Sequence, residues 1–146
     1  MDKPARILVV DDDEGIRTTM SEILTEEGYT VDSAATGSEA TQKTQETTYN
    51  MALIDIHLPD MEGVELLKLM KGTVPKTRKI MVTGYPSMQN AISAVNKNAD
   101  AYLVKPVDVE KLLDTVKEQL QLQEEERKYS EQKVAEFIES RVKEIK

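Results

Sequence analysis

The run Met51-Ala-Leu-Ile-Asp55 constrains the fold more than any other stretch, because four apolar residues lead into a single carboxylate. A continuous apolar run of this length is typical of a central strand in a parallel sheet that is covered on both faces. Pro59 and residues 60–63 then interrupt the pattern and allow a helix to begin. In open α/β sheets, ligands bind beyond the carboxyl ends of the strands. Asp55 is therefore expected at a functional edge, as a ligand, a nucleophile or a helix cap.

Short apolar runs alternate with helical periodicity along the rest of the chain. The predicted strands are residues 7–10, 29–35, 51–55, 79–83 and 101–104, with the second at an edge. A helix is predicted after each strand, and the fourth of these helices carries Ile92 and Val95 inward. The apolar face predicted for the fifth helix consists of Val109, Leu112, Leu113, Val116 and Leu120.

Polar residues at the predicted helix ends match known capping patterns. Asp13 and Asp108 are expected to be N-caps, and Thr36 with Glu39 matches a capping box. Gly28 is placed where a helix commonly ends in the left-handed conformation. The methionines are expected to fill the core, and those on apolar faces are Met20, Met51, Met70 and Met81.

Alternating strands and helices imply βαβ units and hence an α/β fold with a doubly wound, five-stranded parallel sheet. Two strand orders are common, 3-2-1-4-5 and 2-1-3-4-5, and periodicity alone does not choose between them. A glycine-rich phosphate loop does not follow the first predicted strand, which disfavours a dinucleotide-binding function.

The composition narrows the classes of function. The chain has 146 residues, a net charge of −8 and no cysteine, so it cannot form a disulfide or a thiolate metal site. The negative charge argues against nucleic-acid binding, and the four-residue apolar run near the N-terminus is too short for a signal peptide or a membrane span. We expect a soluble, intracellular, cytoplasmic protein with one domain over residues 1–120 and a helical extension over 121–146.

Reactive groups end four of the five predicted strands: Asp11 and Asp12, Asp55, Thr83, and Lys105. In a parallel sheet these ends lie at one edge, so the groups are expected to converge. Clustered carboxylates repel one another unless a cation neutralises them, and oxygen-only ligands favour Mg²⁺. A carboxylate beside a bound metal, a lysine and a hydroxyl is suited to accept a phosphoryl group.

At these residues the chain resembles the receiver domains of response regulators, the CheY-like family. The matching segments are ILVVDDDEGIR (7–17), ALIDIHLPDMEG (52–63), IMVTGYPS (80–87) and DAYLVKP (100–106). The resemblance covers residues 5–120 and implies the strand order 2-1-3-4-5. It also implies a two-component phosphorelay protein that catalyses its own phosphorylation and dephosphorylation without acting as a conventional turnover enzyme.

The resemblance implies roles for the residues at the strand ends. Asp55 corresponds to the phosphoacceptor and Lys105 to the lysine that pairs with the phosphoryl group. Asp12 would bind Mg²⁺ directly and Asp11 mostly through water, with the backbone carbonyl of His57 as a further ligand. The His57 side chain is expected to be neither a ligand nor a base, because no acid is placed to orient it.

The resemblance also implies a switch and a set of partners. Thr83 corresponds to the switch hydroxyl and Tyr102 to the aromatic residue that turns inward after phosphorylation. These two would couple the site to a face made of the fourth helix, the fifth strand and the fifth helix. The implied partners are a sensor histidine kinase or phosphotransfer protein and a downstream protein target. The Lys105–Pro106 bond is expected to be cis.

Two other functions remain open on the sequence alone. A phosphatase of the haloacid-dehalogenase type also uses Asp, Mg²⁺, Lys and Thr, and residues 11–13 could mimic its Asp-x-Asp nucleophile motif. The chain lacks the cap domain and the late acidic pair of that class. The other alternative is an interaction module that works without phosphorylation.

The fifth helix is predicted to run to the C-terminus, because no Gly or Pro occurs from Val107 onward. With Leu113 at heptad position a, the middle a and d positions are polar, so a continuous coiled coil is not supported. The last turns carry an apolar stripe, which is expected to be buried in a homodimer, with docking on its own receiver or on a partner as the alternatives. Its members are Val134, Phe137, Ile138, Arg141, Val142 and Ile145. The extension has no helix-turn-helix pattern and no basic stripe, which disfavours DNA binding.

Overall fold

The computed structural model describes residues 3–70, 72, 76–84 and 99–145. Within them, five parallel strands form one sheet in the order β2-β1-β3-β4-β5. The strands are β1 (Arg6–Val10), β2 (Thr30–Ala34), β3 (Met51–Asp55), β4 (Arg78–Thr83) and β5 (Ala101–Val104). This confirms the order 2-1-3-4-5 over its alternative, with β2 at an edge as predicted.

The helices are α1 (Glu14–Glu26), α2 (Gly37–Glu46), α3 (Gly63–Leu69) and a long C-terminal helix (Val109–Ile145). The predicted fourth helix, with Ile92 and Val95, falls outside the described residues. Asp13 caps α1 by accepting from the Ile16 N–H at 3.0 Å, and Asp108 accepts from the Lys111 N–H at 3.1 Å. Gly28 follows α1 with φ of 101°, a conformation that side chains with a Cβ rarely adopt. These predicted helix ends are confirmed.

The capping box of α2 differs in one bond from the usual pattern. Thr36 Oγ1 accepts from the Glu39 N–H at 3.1 Å, as predicted. The Glu39 carboxylate accepts from the N–H of Ala35 rather than from that of Thr36 itself. That hydrogen bond lowers the pKa of Glu39, with a smaller contribution from Lys43.

Helices cover both faces of the sheet, so β3 is buried along its whole length. On one face, α2 and α3 pack over Leu8, Val10, Ala52 and Ile54. On the other face, α1 and the C-terminal helix pack over Ile7, Val9, Met51 and Leu53. The methionines predicted in the core, namely Met20, Met51, Met70 and Met81, are all buried.

The C-terminal helix contacts the domain along one face and then extends past it. Leu112 and Val116 are buried as predicted, but Val109 is 46% exposed because the first turn borders an open groove beside α1. Contacts continue to Gln123, which is 5% exposed and donates to the backbone carbonyls of Asn50 and Lys76 at 2.8 and 2.9 Å. From residue 128 to residue 143 the helix is exposed.

None of the helices in the described part of the chain combines the length and apolar character needed to cross a membrane.

Candidate functional site

The ends of β1, β3 and β5 bring three charged side chains into contact. Asp11 directly follows β1, Asp55 is the last residue of β3, and Lys105 directly follows β5. Lys105 Nζ lies 2.8 Å from Asp11 Oδ2 and 3.0 Å from Asp55 Oδ2. Since β4 separates β3 from β5, the lysine side chain reaches across the end of β4. The peptide bond between Lys105 and Pro106 is cis, as predicted.

Burial and ion pairing together set the ionisation of Asp55 and Lys105. Burial raises the pKa of Asp55, and the Lys105 ammonium and the His57 N–H only partly oppose it. Burial alone would lower the pKa of Lys105, but its contacts with Asp11 and Asp55 raise that pKa overall. Lys105 therefore stays positively charged, while a negative charge on Asp55 is costly without a further cation.

The acidic groups at this edge fit a divalent cation. Carboxylate oxygens of Asp11, Asp12 and Asp55 all lie within 4.8 Å of one another. Asp11 and Asp55 are buried, whereas Asp12 is exposed at the mouth of the site. One ammonium beside three carboxylates leaves two negative charges to neutralise. Hard oxygen ligands with this residual charge suit Mg²⁺.

The two predicted switch residues lie at different depths. Thr83 ends β4 and is 1% exposed, and its backbone carbonyl accepts from the Lys105 N–H at 2.7 Å. Tyr102 on β5 is 42% exposed, so it lies at the surface of the sheet edge. The structure thus joins Asp11, Asp12, Asp55 and Lys105 in one cluster with Thr83 beside it, and leaves Tyr102 outside.

Sequence reasoning overlooked a contact of His57. Its Nδ1 lies 3.0 Å from Glu62 Oε2, so the expectation that no acid orients this imidazole is wrong. The backbone between Asp55 and Gly63 turns back on itself, which brings the two side chains together. The backbone N–H of His57 also donates to Asp55 Oδ1 at 3.2 Å.

Two more residues shape the site without having been singled out. A Cβ at Gly63 would lie 2.4 Å from the Asp55 carbonyl oxygen, so only glycine allows α3 to begin this close to Asp55. Arg17 Nη1 donates to the Asp11 carbonyl at 2.8 Å and holds the end of β1. Both residues lie in the segments 7–17 and 52–63, where their motif context was the available signal.

Comparison with known proteins identifies the family of this chain. The family model described as the response regulator receiver domain matches residues 7–117. The chain belongs to this family. The phosphatase and the phosphorylation-independent module are not favoured by these matches.

Individual relatives of this receiver support the assignment. Sporulation initiation phosphotransferase F of Bacillus subtilis is 33% identical over 80% of this chain and 94% of its own length. The transcriptional regulatory protein ZraR of Klebsiella oxytoca is 38% identical over 78% of this chain, but the receiver spans only 26% of ZraR.

Solved structures agree with the sequence relatives. A CheY-like response regulator receiver domain protein from Methanospirillum hungatei JF-1 is 48% identical, with a TM-score of 0.75. The match covers 84% of this chain and 98% of that one. The beryllofluoride-activated NtrC4 receiver domain dimer is 38% identical with a TM-score of 0.73, over 81% of this chain and 98% of that one.

Proposed function

We propose that this receiver accepts a phosphoryl group on Asp55 from the phosphohistidine of a sensor kinase or a phosphotransfer protein in the cytoplasm. The observation that carries the proposal is the bridge of Lys105 between Asp11 and Asp55, inside a cluster of three carboxylates. The carboxylates of Asp12 and Asp55 and the backbone carbonyl of His57 would hold Mg²⁺ directly, and Asp11 would hold it mostly through water.

The chain's own groups suit the transfer step. The P–N bond of the donor breaks, its imidazole keeps the electron pair, and a P–O bond forms to a carboxylate oxygen of Asp55. Lys105, 3.0 Å from that carboxylate, is positioned to pair with a phosphoryl oxygen once the bond has formed. Mg²⁺, when bound, would neutralise negative charge on the phosphoryl oxygens. Hydrolysis of the acyl phosphate at the same site would return the receiver to its unmodified form.

The direct test is intact-mass measurement after incubation with acetyl phosphate, with and without Mg²⁺. We expect one added phosphoryl group only when Mg²⁺ is present. Absence of any added phosphoryl group with Mg²⁺, and with phosphorylated kinase as the alternative donor, would contradict the proposal.

The two acidic residues after β1 are expected to differ in their effect on Mg²⁺ affinity. Asp11 already uses both carboxylate oxygens, one on Lys105 and one on the Asp13 N–H at 2.9 Å, whereas Asp12 is exposed. Asp11→Ala should weaken Mg²⁺ binding about tenfold, as is usual for an outer-shell partner, and Asp12→Ala should weaken it further. Titration calorimetry measures both, and equal losses would refute the direct and water-mediated roles.

Thr83→Ala is expected to separate phosphorylation from its structural response. The buried hydroxyl of Thr83 is proposed to bind the phosphoryl group and draw Tyr102 inward, which would alter the output face that includes β5 and the C-terminal helix. The variant should still be labelled by acetyl phosphate, while the NMR shift changes around Tyr102 should be lost. Thr83→Ser keeps the hydroxyl and should behave as wild type. A full shift response in Thr83→Ala would contradict the coupling.

The apolar stripe on the C-terminal helix is proposed to bind a second copy of the chain. Val134 follows Val116 by 18 residues, which is about five helical turns, so both lie on the same face of the helix. Val116 is buried on the sheet, whereas Val134 is 58% exposed beyond the domain. The helix contains no Gly or Pro at which to bend the stripe back onto its own receiver.

Charge favours a second copy as the occupant of this stripe. The extension over residues 121–146 carries a net charge of −1, whereas residues 1–120 carry −7. Ion pairs along the helix, such as Arg127–Glu131 and Lys143–Glu139, balance its flanks. Two extensions can therefore approach each other without the repulsion that two receiver surfaces would experience.

A further inference from the structure

The loop between β3 and α3 is docked onto the first turn of α2. At the tip of this loop, the Asp60 carboxylate accepts from the N–H of Gly37 at 2.8 Å and from that of Ser38 at 2.9 Å. These hydrogen bonds hold the pKa of Asp60 below its ordinary value, so the group is ionised at neutral pH. Helix N-termini favour negative charge, and hydrogen bonds to a carboxylate are stronger than neutral ones.

A second contact brings the same loop against the same helix. A Cβ placed at Gly37 would lie 2.4 Å from Met61 Sδ, so the loop approaches the helix as closely as glycine permits. The chain therefore has two adjacent residues, Asp60 and Met61, that fix the loop tip on α2 by different forces.

The loop also carries a group that the proposed function needs. The backbone carbonyl of His57 is the proposed metal ligand, and it lies three residues before Asp60. Hydrogen bonds within the loop make it a compact unit: the Leu58 N–H donates to the Met61 carbonyl at 3.1 Å, and the Gly63 N–H to the Ile56 carbonyl at 2.6 Å. Fixing one end of such a unit restricts the position of the other.

We infer that Asp60 is a positioning residue for the phosphoacceptor site, because it anchors on α2 the loop that presents the His57 carbonyl to Mg²⁺. The described hydrogen bonds of the Asp60 carboxylate go to α2, so Asp60 is inferred to act on the site through the loop. The inference rests on the proposed function and adds a residue that the family motif does not assign. A purely structural role, in which Asp60 merely caps α2, makes a different prediction.

The chain provides a matched control at the same helix end. Thr36 Oγ1 caps α2 through the Glu39 N–H, but Thr36 belongs to the loop after β2 and not to the loop between β3 and α3, residues 56–62. Asp60→Ala and Thr36→Ala both remove capping of α2. Only Asp60→Ala also removes the hydrogen bonds that hold the loop between β3 and α3 on that helix.

The experiment compares wild type, Asp60→Ala, Asp60→Asn and Thr36→Ala in the full chain. Calorimetry measures the dissociation constant of Mg²⁺, urea unfolding measures stability, and amide hydrogen exchange without Mg²⁺ measures the mobility of residues 56–62. Asp60→Ala should raise the dissociation constant about tenfold and speed exchange in the loop. Asp60→Asn keeps one acceptor oxygen and should give a smaller rise. Thr36→Ala should lower stability while leaving the dissociation constant within about twofold of wild type.

The outcomes separate this inference from the proposed function. If wild type binds Mg²⁺ and both Asp60 variants match it, with loop exchange unchanged, the positioning role is wrong and the proposed function stands. If Thr36→Ala weakens Mg²⁺ as much as Asp60→Ala does, the effect belongs to α2 and the inference is also overturned. A wild type that binds no Mg²⁺ would overturn both.

Discussion

Asp55→Asn should abolish labelling by acetyl phosphate, because a carboxamide oxygen is not a competent nucleophile toward phosphorus. Intact-mass measurement should find no added phosphoryl group under conditions that label wild type fully. Asparagine has nearly the volume of aspartate, so the packing at the end of β3 should persist. Burial raises the pKa of Asp55, so ionised Asp55 lowers the stability of the folded state above its ordinary pKa. The neutral variant should therefore fold without loss of thermal stability.

Asp13→Asn is the matched control for this experiment. Asp13 lies two residues from Asp11 but serves as the N-cap of α1, a position that asparagine fills equally well. This variant should be labelled as wild type is. Stoichiometric label retained by Asp55→Asn would place the acceptor elsewhere. If Asp11→Asn, added to Asp55→Asn, then removed the retained label, the result would point to the phosphatase chemistry that uses the carboxylate after the first strand.

Deletion of residues 130–146 should convert a dimer into a monomer. The exposed apolar side chains of the stripe, Val134, Phe137, Ile138 and Val142, are each more than half exposed. Burying the surface that is still exposed on each of these four side chains contributes roughly 1 kcal/mol. Over two copies this gives about 8 kcal/mol before the entropic cost of association. Light scattering on full-length and truncated protein measures the change. Full-length protein that is monomeric at high micromolar concentration would rule out this dimer.

Single substitutions on the intact helix sharpen that test. Ile138→Glu places a charge in the stripe and should dissociate the dimer. Ser140→Glu adds the same charge about 160° around the helix from Ile138 and should leave the dimer intact. Both variants should retain labelling at Asp55, because the stripe lies beyond the receiver. Equal effects of the two substitutions would indicate that charge, rather than the stripe, controls association.

The apolar runs predicted β1, β3 and β4 because these strands are largely buried, so continuous burial dominates their sequence pattern. The edge strand β2 is only half-buried over most of its length. Convergence of Asp11, Asp55 and Lys105 followed from the rule that parallel strands end at one edge, but the strand order required the family resemblance. Exposure of Val109 was not predictable, since periodicity assigns a face and not what covers it.

Contacts between polar residues that are distant in sequence could not be predicted either. Gln123 binds the backbone of Asn50, which lies 73 positions earlier. It stands at a d position of the heptad frame, where a polar residue indicated only that a coiled coil is not supported. Asp60 binds α2 across 23 positions and belongs to a turn whose carboxylates are usually solvated. Such pairings depend on loop geometry, and a linear pattern of apolar residues carries no information about them.

The C-terminal helix is held to the receiver as far as Gln123, so a small change of angle there moves its far end over a larger distance. Ile145 lies 22 positions beyond Gln123, a helical rise of roughly 33 Å at 1.5 Å per residue. A tilt of about 5° at the attachment moves the far end by about 3 Å over that length. Angular changes too small to resolve inside the receiver are thereby magnified into displacements that a distance measurement between two labelled helix ends can detect.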